Sequence, residues 1–245
     1  MKTVIIVQAR MTSTRLPGKV LKSVLGKTLL EYQIERLHRV KFADEIVIAT
    51  TSNHTDDVID ALCQGLKVPT YRGSEEDILS RYYEAALEHN AQTVVRVTSD
   101  CPLIDPAVVD TVIQHFHDNQ SNLDYATNAL IRTYPRGMDT EVFSFQALEE
   151  AHREATDQPD REHVTSFIYR RPERYRLGHV TLSEDHSRHR WTVDTSEDFH
   201  LVSNILSHLH PKQPNFTLED TLRLLQRFPE WERINAHVQQ KTLGQ

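Results

Sequence analysis

Residues 4–19 read Val-Ile-Ile-Val-Gln-Ala-Arg-Met-Thr-Ser-Thr-Arg-Leu-Pro-Gly-Lys, and no other stretch restricts the fold as tightly. An unbroken β-branched run is what a strand buried on both faces requires; a strand with one wet face would alternate. Such strands belong to parallel sheets covered by helices on both sides. The loop that follows gathers Arg10, Arg15 and Lys19 with the hydroxyls of Thr12, Ser13 and Thr14 and a Pro17-Gly18 turn. Cations and hydroxyls at the end of a buried strand suit a polyanion, most simply a triphosphate. The chain as a whole carries a net charge of −7. The basic loop is therefore a local feature on an acidic background, which argues against general nucleic-acid binding.

The periodicity predicts alternating elements after this strand. A helix is expected over about 28–39, from Leu29, Leu30, Ile34 and Leu37, and a strand over 45–50. Asn53 can cap a helix with Val58, Ile59 and Leu62 inward, and 68–71 reads as a short strand. Ser74-Glu75-Glu76-Asp77 reads as a capping box, with Ile78, Tyr82 and Ala85 inward. A strand follows over 93–97, then a helix opened by Asp105-Pro106. Strands are expected at 139–143, 174–182 and 189–193, and helices near 144–153, 160–170, 199–206 and 218–228. The result is an α/β three-layer Rossmann-like sandwich. The whole chain, 1–245, forms a single domain, and the less regular stretch 133–182 could leave the main sheet and return.

Ligands in open parallel sheets bind at the carboxyl ends of the strands. Four groups fall there: Arg10, Arg15 and Lys19; Thr51, Ser52 and Asn53; Arg72 and Gly73; Ser99, Asp100 and Cys101. Asp100 lies just past a buried strand, and the capping role there is better filled by Asp105. Asp194 also follows a short apolar run. If the two strand ends are neighbours, the two carboxylates can share a hard cation; Mg²⁺ takes one or two carboxylates plus phosphate oxygens and water. The cluster Arg161, Glu162, His163, Arg170 and Arg171 reads either as a solvated helix face or as a site for a substrate carboxylate.

Other chemistries are excluded. Gly26-Lys27-Thr28 imitates the end of a P-loop, but Leu21 stands where its first glycine is needed. GxGxxG is absent. The HxH pairs His115/His117 and His208/His210 fall on expected helices, where i,i+2 side chains diverge, so zinc is disfavoured. Cys63 and Cys101 give no disulfide framework and suit a reduced, cytoplasmic setting. No apolar run approaches the roughly 18 residues of a membrane span, and no signal peptide is expected ahead of the first strand.

Several motifs resemble one family. Gln8-Ala9-Arg10 through Leu16-Pro17-Gly18-Lys19 is similar to the N-terminal signature of the sugar-acid cytidylyltransferases. Arg72-Gly73-Ser74 with Asp77 and Arg81-Tyr82, and Arg96 through Asp105, resemble the branch named after spore-coat polysaccharide biosynthesis protein F. So do Gly137-Met138-Asp139 with Glu141-Val142-Phe143, Glu162-His163-Val164, and Arg190 through Asp194 with Glu197-Asp198. The likeness covers nearly the whole chain in order; Val-Gln-Ala-Arg stands here where better-known relatives have Ile-Pro-Ala-Arg.

The resemblance implies a fold of the glycosyltransferase-A and nucleotidyltransferase type, with a dimerisation excursion at about 131–182 and a homodimer. It implies CMP transfer from CTP to an acidic sugar, with Mg²⁺ on Asp100 and Asp194. Arg10, Lys19 and Asp100 would be catalytic. Gln8, Ala9, Arg10, Arg15, Lys19, Ser52, Arg72, Arg96 and Asp100 would surround the nucleotide, and Asp139, Glu141, Arg161 and His163 the sugar. Two rivals remain: a nucleotide-sugar-dependent glycosyltransferase and a catalytically idle nucleotide-binding subunit. The first commonly carries an Asp-x-Asp pair, whereas Asp100 is followed by Cys101-Pro102. The second has no need to keep Arg10, Arg15, Lys19, Asp100 and Asp194 together.

Overall fold

The computed structural model describes residues 1–240. The first strand, β1 (Thr3–Gln8), lies at the centre, and Val4 through Val7 are completely inaccessible. Its alternation separates two cores. Ile5 and Val7 face one apolar layer, and Val4 and Ile6 face the other. β4 (Glu45–Thr51) pairs in parallel with one edge of β1, and β6 (Thr93–Thr98) with the other. β5 (Thr70–Gly73) pairs in parallel with β4. The chain thus runs outward from β1 to β5 and then returns to the opposite side at β6. That reversal opens a crevice beside β1 at the carboxyl ends of the strands, where doubly wound sheets take their ligands.

On one face pack α1 (Leu29–Leu37), α2 (Asp57–Leu66), α4 (Pro106–Asp118), α8 (Ser196–Leu209) and α9 (Leu218–Arg227). On the other pack α3 (Ile78–Glu88), α5 (Phe145–Glu154) and α7 (Ser166–Tyr169), with α6 (Gln158–His163) beside α3. Capping sets several starts. Thr28 and Glu31 form a reciprocal capping box on α1. Asp105 caps α4 through the Ala107 amide at 2.9 Å, while its other oxygen accepts from the Leu218 amide at 2.6 Å, so one carboxylate ties α4 to α9. The P-loop imitation is a hairpin. β2 (Ser23–Val24) and β3 (Lys27–Thr28) flank Leu25 and Gly26, both at positive φ, as a tight turn of this hand requires.

The second half differs from expectation in detail. β7 (Tyr125–Thr127) was not foreseen; three residues are too short to show a period. β8 (Glu141–Ser144) runs antiparallel to β6, β7 antiparallel to β8, and β9 (Leu177–His179) parallel to β7. The stretch 133–182 therefore supplies strands to the seven-stranded main sheet, in the order β5-β4-β1-β6-β8-β7-β9. The strand expected at 189–193 is a single bridge between Arg136 and Arg190, because its neighbour is a turn rather than a strand. The expected helix 160–170 is split at Val164. The N-cap of α3 is Asp77, whose carboxylate accepts from the Ser80 amide, and Ser74 braces the Asp77 amide. Val58 is exposed, and Ile59 and Cys63, with the partly buried Leu62, form the inner face of α2. The short α10 (Pro229–Glu232) follows α9, and among the described residues no helix is long and apolar enough to cross a membrane.

Candidate active site

The basic loop is held closed from within. The Met11 carbonyl accepts from the Ser13 and Gly18 amides, each at 3.0 Å, and Gly18 takes φ +64° at the turn. The fully buried Asp56, just before α2, anchors it, accepting from the Met11 amide at 2.8 Å and from Thr50 and Thr51. The loop's cations consequently project from a fixed frame into a cleft of about 1310 Å³.

At the centre of that cleft the Lys19 ammonium donates to Asp100 Oδ2 and Asp194 Oδ1, each at 2.8 Å. Backbone pairing brings these two distant carboxylates together: the Val193 amide donates to the Asp100 carbonyl at 2.8 Å. Asp100 Oδ1 accepts from Thr98 at 2.6 Å and from the Cys101 thiol at 3.4 Å. Asp194 Oδ2 accepts from Arg190 at 2.7 Å and is paired with Arg15 at 2.9 Å. Asp198, fully buried, in turn fixes Arg190 and the Asp194 amide. Burial alone would raise the Asp100 carboxyl, but Lys19, Thr98 and Cys101 hold it well below the usual carboxylate range. Burial opposes the charge on Lys19, and the two carboxylates overcome it, lifting the ammonium above its ordinary value. Two carboxylates converging on one cation, beside donors for phosphate, fit a magnesium-type ion that completes its shell with phosphate oxygens and water.

The cleft has two sides. Toward β4 it is lined by Gln8, Ala9, Arg10, Ser13, Thr14 and Arg15. Arg10 lies 3.6 Å from Glu75, which also accepts from Thr12 and Asn53 and so joins three loops at the rim. Toward β8 the floor is an ion pair between Arg96 and Glu141. Arg96 also donates to Gln8 Oε1 at 3.2 Å, and Glu141 Oε1 accepts from Tyr125 at 2.6 Å and Thr165 at 2.5 Å. His163, Asp139 and Arg136 complete this side. Val164 stands between His163 and Thr165 at φ +60°, ψ −60°, and the Thr165 amide donates to the His163 carbonyl at 2.6 Å. This is a tight three-residue turn that a β-branched residue adopts only under strain. It points both neighbours at the cleft, and burial lowers the His163 imidazole below its ordinary value.

Most expected residues meet here: Gln8, Ala9, Arg10, Arg15, Lys19, Arg96, Asp100, Asp139, Glu141, His163 and Asp194. Three do not line the cleft. Ser52 is exposed beyond the rim. Arg72 is spent on the carbonyls of Thr51 and Asn53, each at 2.9 Å, and on Asp57 at 2.7 Å. Arg161 is spent on Asp77 and the His152 carbonyl. Arg96, expected on the nucleotide, is paired on the β8 side. No site role was expected for Arg81, which entered only as part of a motif, or for Tyr125, Arg136, Thr165 and Tyr169, all of which line the cleft. Arg81 did leave a signal, being an arginine on the inward stripe of α3, where it is 1% exposed.

Comparison with known proteins agrees with this geometry. The family model described as Cytidylyltransferase matches residues 4–242. An uncharacterized protein of Methanocaldococcus jannaschii is 35% identical over 244 residues, covering 99% of this chain and 98% of that one. The spore coat polysaccharide biosynthesis protein SpsF of Bacillus subtilis is 34% identical over 234 residues, 92% and 94% of the two chains. A solved cytidylyltransferase from Leptospira borgpetersenii superposes with a TM-score of 0.91 at 32% identity, over 99% of both chains. A CMP:2-keto-3-deoxy-manno-octonic acid synthetase complexed with CTP shares the fold, with a TM-score of 0.66 at 18% identity over 84% of this chain and 99% of that one. A family model that spans nearly the whole chain, and relatives at 35% and 34% identity along nearly their full length, show that the chain belongs to the cytidylyltransferase family.

Proposed function

We propose that the protein transfers CMP from CTP to a hydroxyl of an acidic sugar in surface-glycan biosynthesis, releasing pyrophosphate. The observation that carries this reading is the Lys19 ammonium at 2.8 Å from both Asp100 and Asp194, with Arg15 alongside. Arg10, Arg15 and Lys19 neutralise the triphosphate, and Asp100 and Asp194 would hold Mg²⁺ against its oxygens. When bound, Mg²⁺ supplies charge neutralisation at the reacting phosphate. The acceptor oxygen bonds to the α-phosphorus as the bond to the bridging oxygen breaks. Pyrophosphate carries away the electron pair, and the hydroxyl's proton passes to solvent water. His163, unprotonated near neutral pH because burial lowers its pKa, is available to accept a hydrogen bond from that hydroxyl. Positioning and charge neutralisation supply the catalysis, as phosphoryl chemistry requires.

The same reading includes a homodimer formed through the stretch 131–182 and a cytoplasmic setting. Ile131, 54% exposed, and the neighbouring Leu130, 42% exposed, supply an apolar edge for such an interface. Thermal shift with CTP, UTP, ATP and GTP in the presence of Mg²⁺, followed by pyrophosphate release on a panel of keto-sugar acids, tests the reading. CTP is expected to stabilise most, because a ligand of the folded state raises the melting temperature by mass action. The absence of any nucleotide-induced shift would overturn it.

A further inference from the structure

The carboxylate of Asp194 is held from behind. Its Oδ2 accepts from Arg190 Nη2 at 2.7 Å, and every nitrogen of that guanidinium is occupied. Nε and Nη2 donate to the two oxygens of Asp198 at 2.9 and 3.0 Å, a fork that fixes the plane of the side chain. Nη1 donates to Oε1 of Gln240. Asp198 also accepts from the Asp194 and Thr195 amides at 3.0 and 3.1 Å, so it sets the backbone and the side chain of Asp194 together.

Asp198 has one further partner, and it comes from far along the chain. Asn235 is 3% exposed. Its Nδ2 donates to Asp198 Oδ1 and to the Arg190 carbonyl, both at 2.8 Å, which uses both protons of the amide. The fold carries Asn235 there on an anchored base. Trp231 of α10 stacks on Phe228 with ring centres 4.7 Å apart, and Ile234 packs against the core. The Val238 amide then closes a turn on the Asn235 carbonyl at 3.0 Å, and the chain runs on to the cleft, where Gln240 joins Asp194 in the lining. Residues 235–240 thus grip Arg190 at its carbonyl and at its guanidinium. Helix capping does not require this tie, because Thr195 and Asp198 already form a reciprocal capping box on α8.

We infer that Asn235 and Gln240 are positioning residues for the cation site: by gripping Arg190 and Asp198, the segment 235–240 sets the Asp194 carboxylate toward Asp100 and Lys19. The inference rests on the proposed role of Asp194 in holding Mg²⁺. Groups behind a metal's carboxylates orient them, and losing one weakens metal binding or turnover by about tenfold or more.

The test compares wild type with Asn235→Ala, Asn235→Asp and Gln240→Ala, and uses Mn²⁺ as the probe of the cation site. Electron paramagnetic resonance of the CTP complex should show Mn²⁺ bound about tenfold more weakly in Asn235→Ala. In Gln240→Ala, which loses one hydrogen bond, the loss should be about threefold. Pyrophosphate release should lose kcat in step, while the calorimetric affinity for CTP without metal stays within about twofold. Asn235→Asp keeps the shape but turns donors into acceptors, so it should recover nothing; recovery would assign the effect to packing and overturn the inference. Unchanged Mn²⁺ affinity in either alanine variant would overturn the role of that residue. Gln240 is exposed, so its variant folds and decides the inference even if Asn235→Ala does not fold. A wild type that binds CTP and Mn²⁺ but transfers no CMP would overturn the proposed reaction and leave the positioning role, read from metal affinity, standing. A CTP complex that binds Mn²⁺ no better than free CTP does would overturn both.

Discussion

The two sides of the cleft are built differently. The side toward β4 comes from one continuous stretch: a buried strand, then a loop whose own amides and carbonyls hold it closed. The side toward β8 is assembled from β6, β7, β8 and the turn at Val164, with Arg136 pinned to 189–191. The first side carries its cations on one loop, with Lys19 and Arg15 set against Asp100 and Asp194. The second is built around the Arg96–Glu141 and Arg132–Asp139 pairs. A triphosphate is common to every reaction of this kind, and a contiguous, preorganised loop suffices for it. The acceptor varies, and discontinuous segments allow its side to change without disturbing the nucleotide.

That contrast is testable, beginning with the group both sides share. Asp100→Ala and Asp194→Ala are each expected to lower kcat by about a thousandfold, measured as pyrophosphate release. Circular dichroism should remain native, because Asp100 lies at a strand end rather than in a core. Undiminished turnover in either variant would break the division of the cleft around this centre.

The next effect is on stability. The buried Arg36 of α1 donates to the Ile104 carbonyl at 2.6 Å and the Phe216 carbonyl at 2.9 Å, with its guanidinium 4.2 Å from the Phe216 ring. Burial pulls this guanidinium down to about 10. It ties the loop after Asp100 to the segment before α9. Arg36→Ala leaves two carbonyls unsatisfied and should cost about 3 kcal/mol in urea denaturation. A loss below about 0.5 kcal/mol, the size of an ordinary surface change, would show that the loop is held by other means.

Arg10→Ala should weaken CTP binding by roughly tenfold in calorimetry and leave the acceptor KM unchanged. A loss that fell equally on both ligands would show that the division into two sides is wrong.

The smallest effect is a pH dependence on the acceptor side. Burial, beside Arg188 and His186, holds the His189 imidazole down to about 4, although Glu232 lies 3.8 Å away. An unfolded histidine titrates near 6.5, so between about 6.5 and 4 the unfolded state binds a proton that the folded state refuses. Stability should be full above about 6.5 and fall as the pH drops toward 4. His189→Gln should flatten that slope in melting curves; an unaltered slope would assign it to other groups.

The same contrast explains what the sequence revealed. Val4 through Val7 declare a doubly buried strand by composition alone, and Arg10, Arg15 and Lys19 declare the anion loop because they are adjacent. Asp100 and Asp194 could be suspected singly, but only the Val193–Asp100 backbone bond makes them neighbours. Arg72 and Arg161 looked like ligands because sequence shows a charge without its partner; the fold spends them on carbonyls, Asp57 and Asp77. Arg136 was passed over for the opposite reason. Nothing near it in sequence shows that its charged neighbours Arg132 and Asp139 pair with each other.

The most direct measurement is ³¹P NMR of the wild type with CTP, Mg²⁺ and a keto-sugar acid. The account predicts a new phosphodiester resonance for a CMP-sugar, growing in step with an equimolar pyrophosphate signal. CTP that persists unchanged with every acceptor, or that decays to CDP and inorganic phosphate, would contradict it.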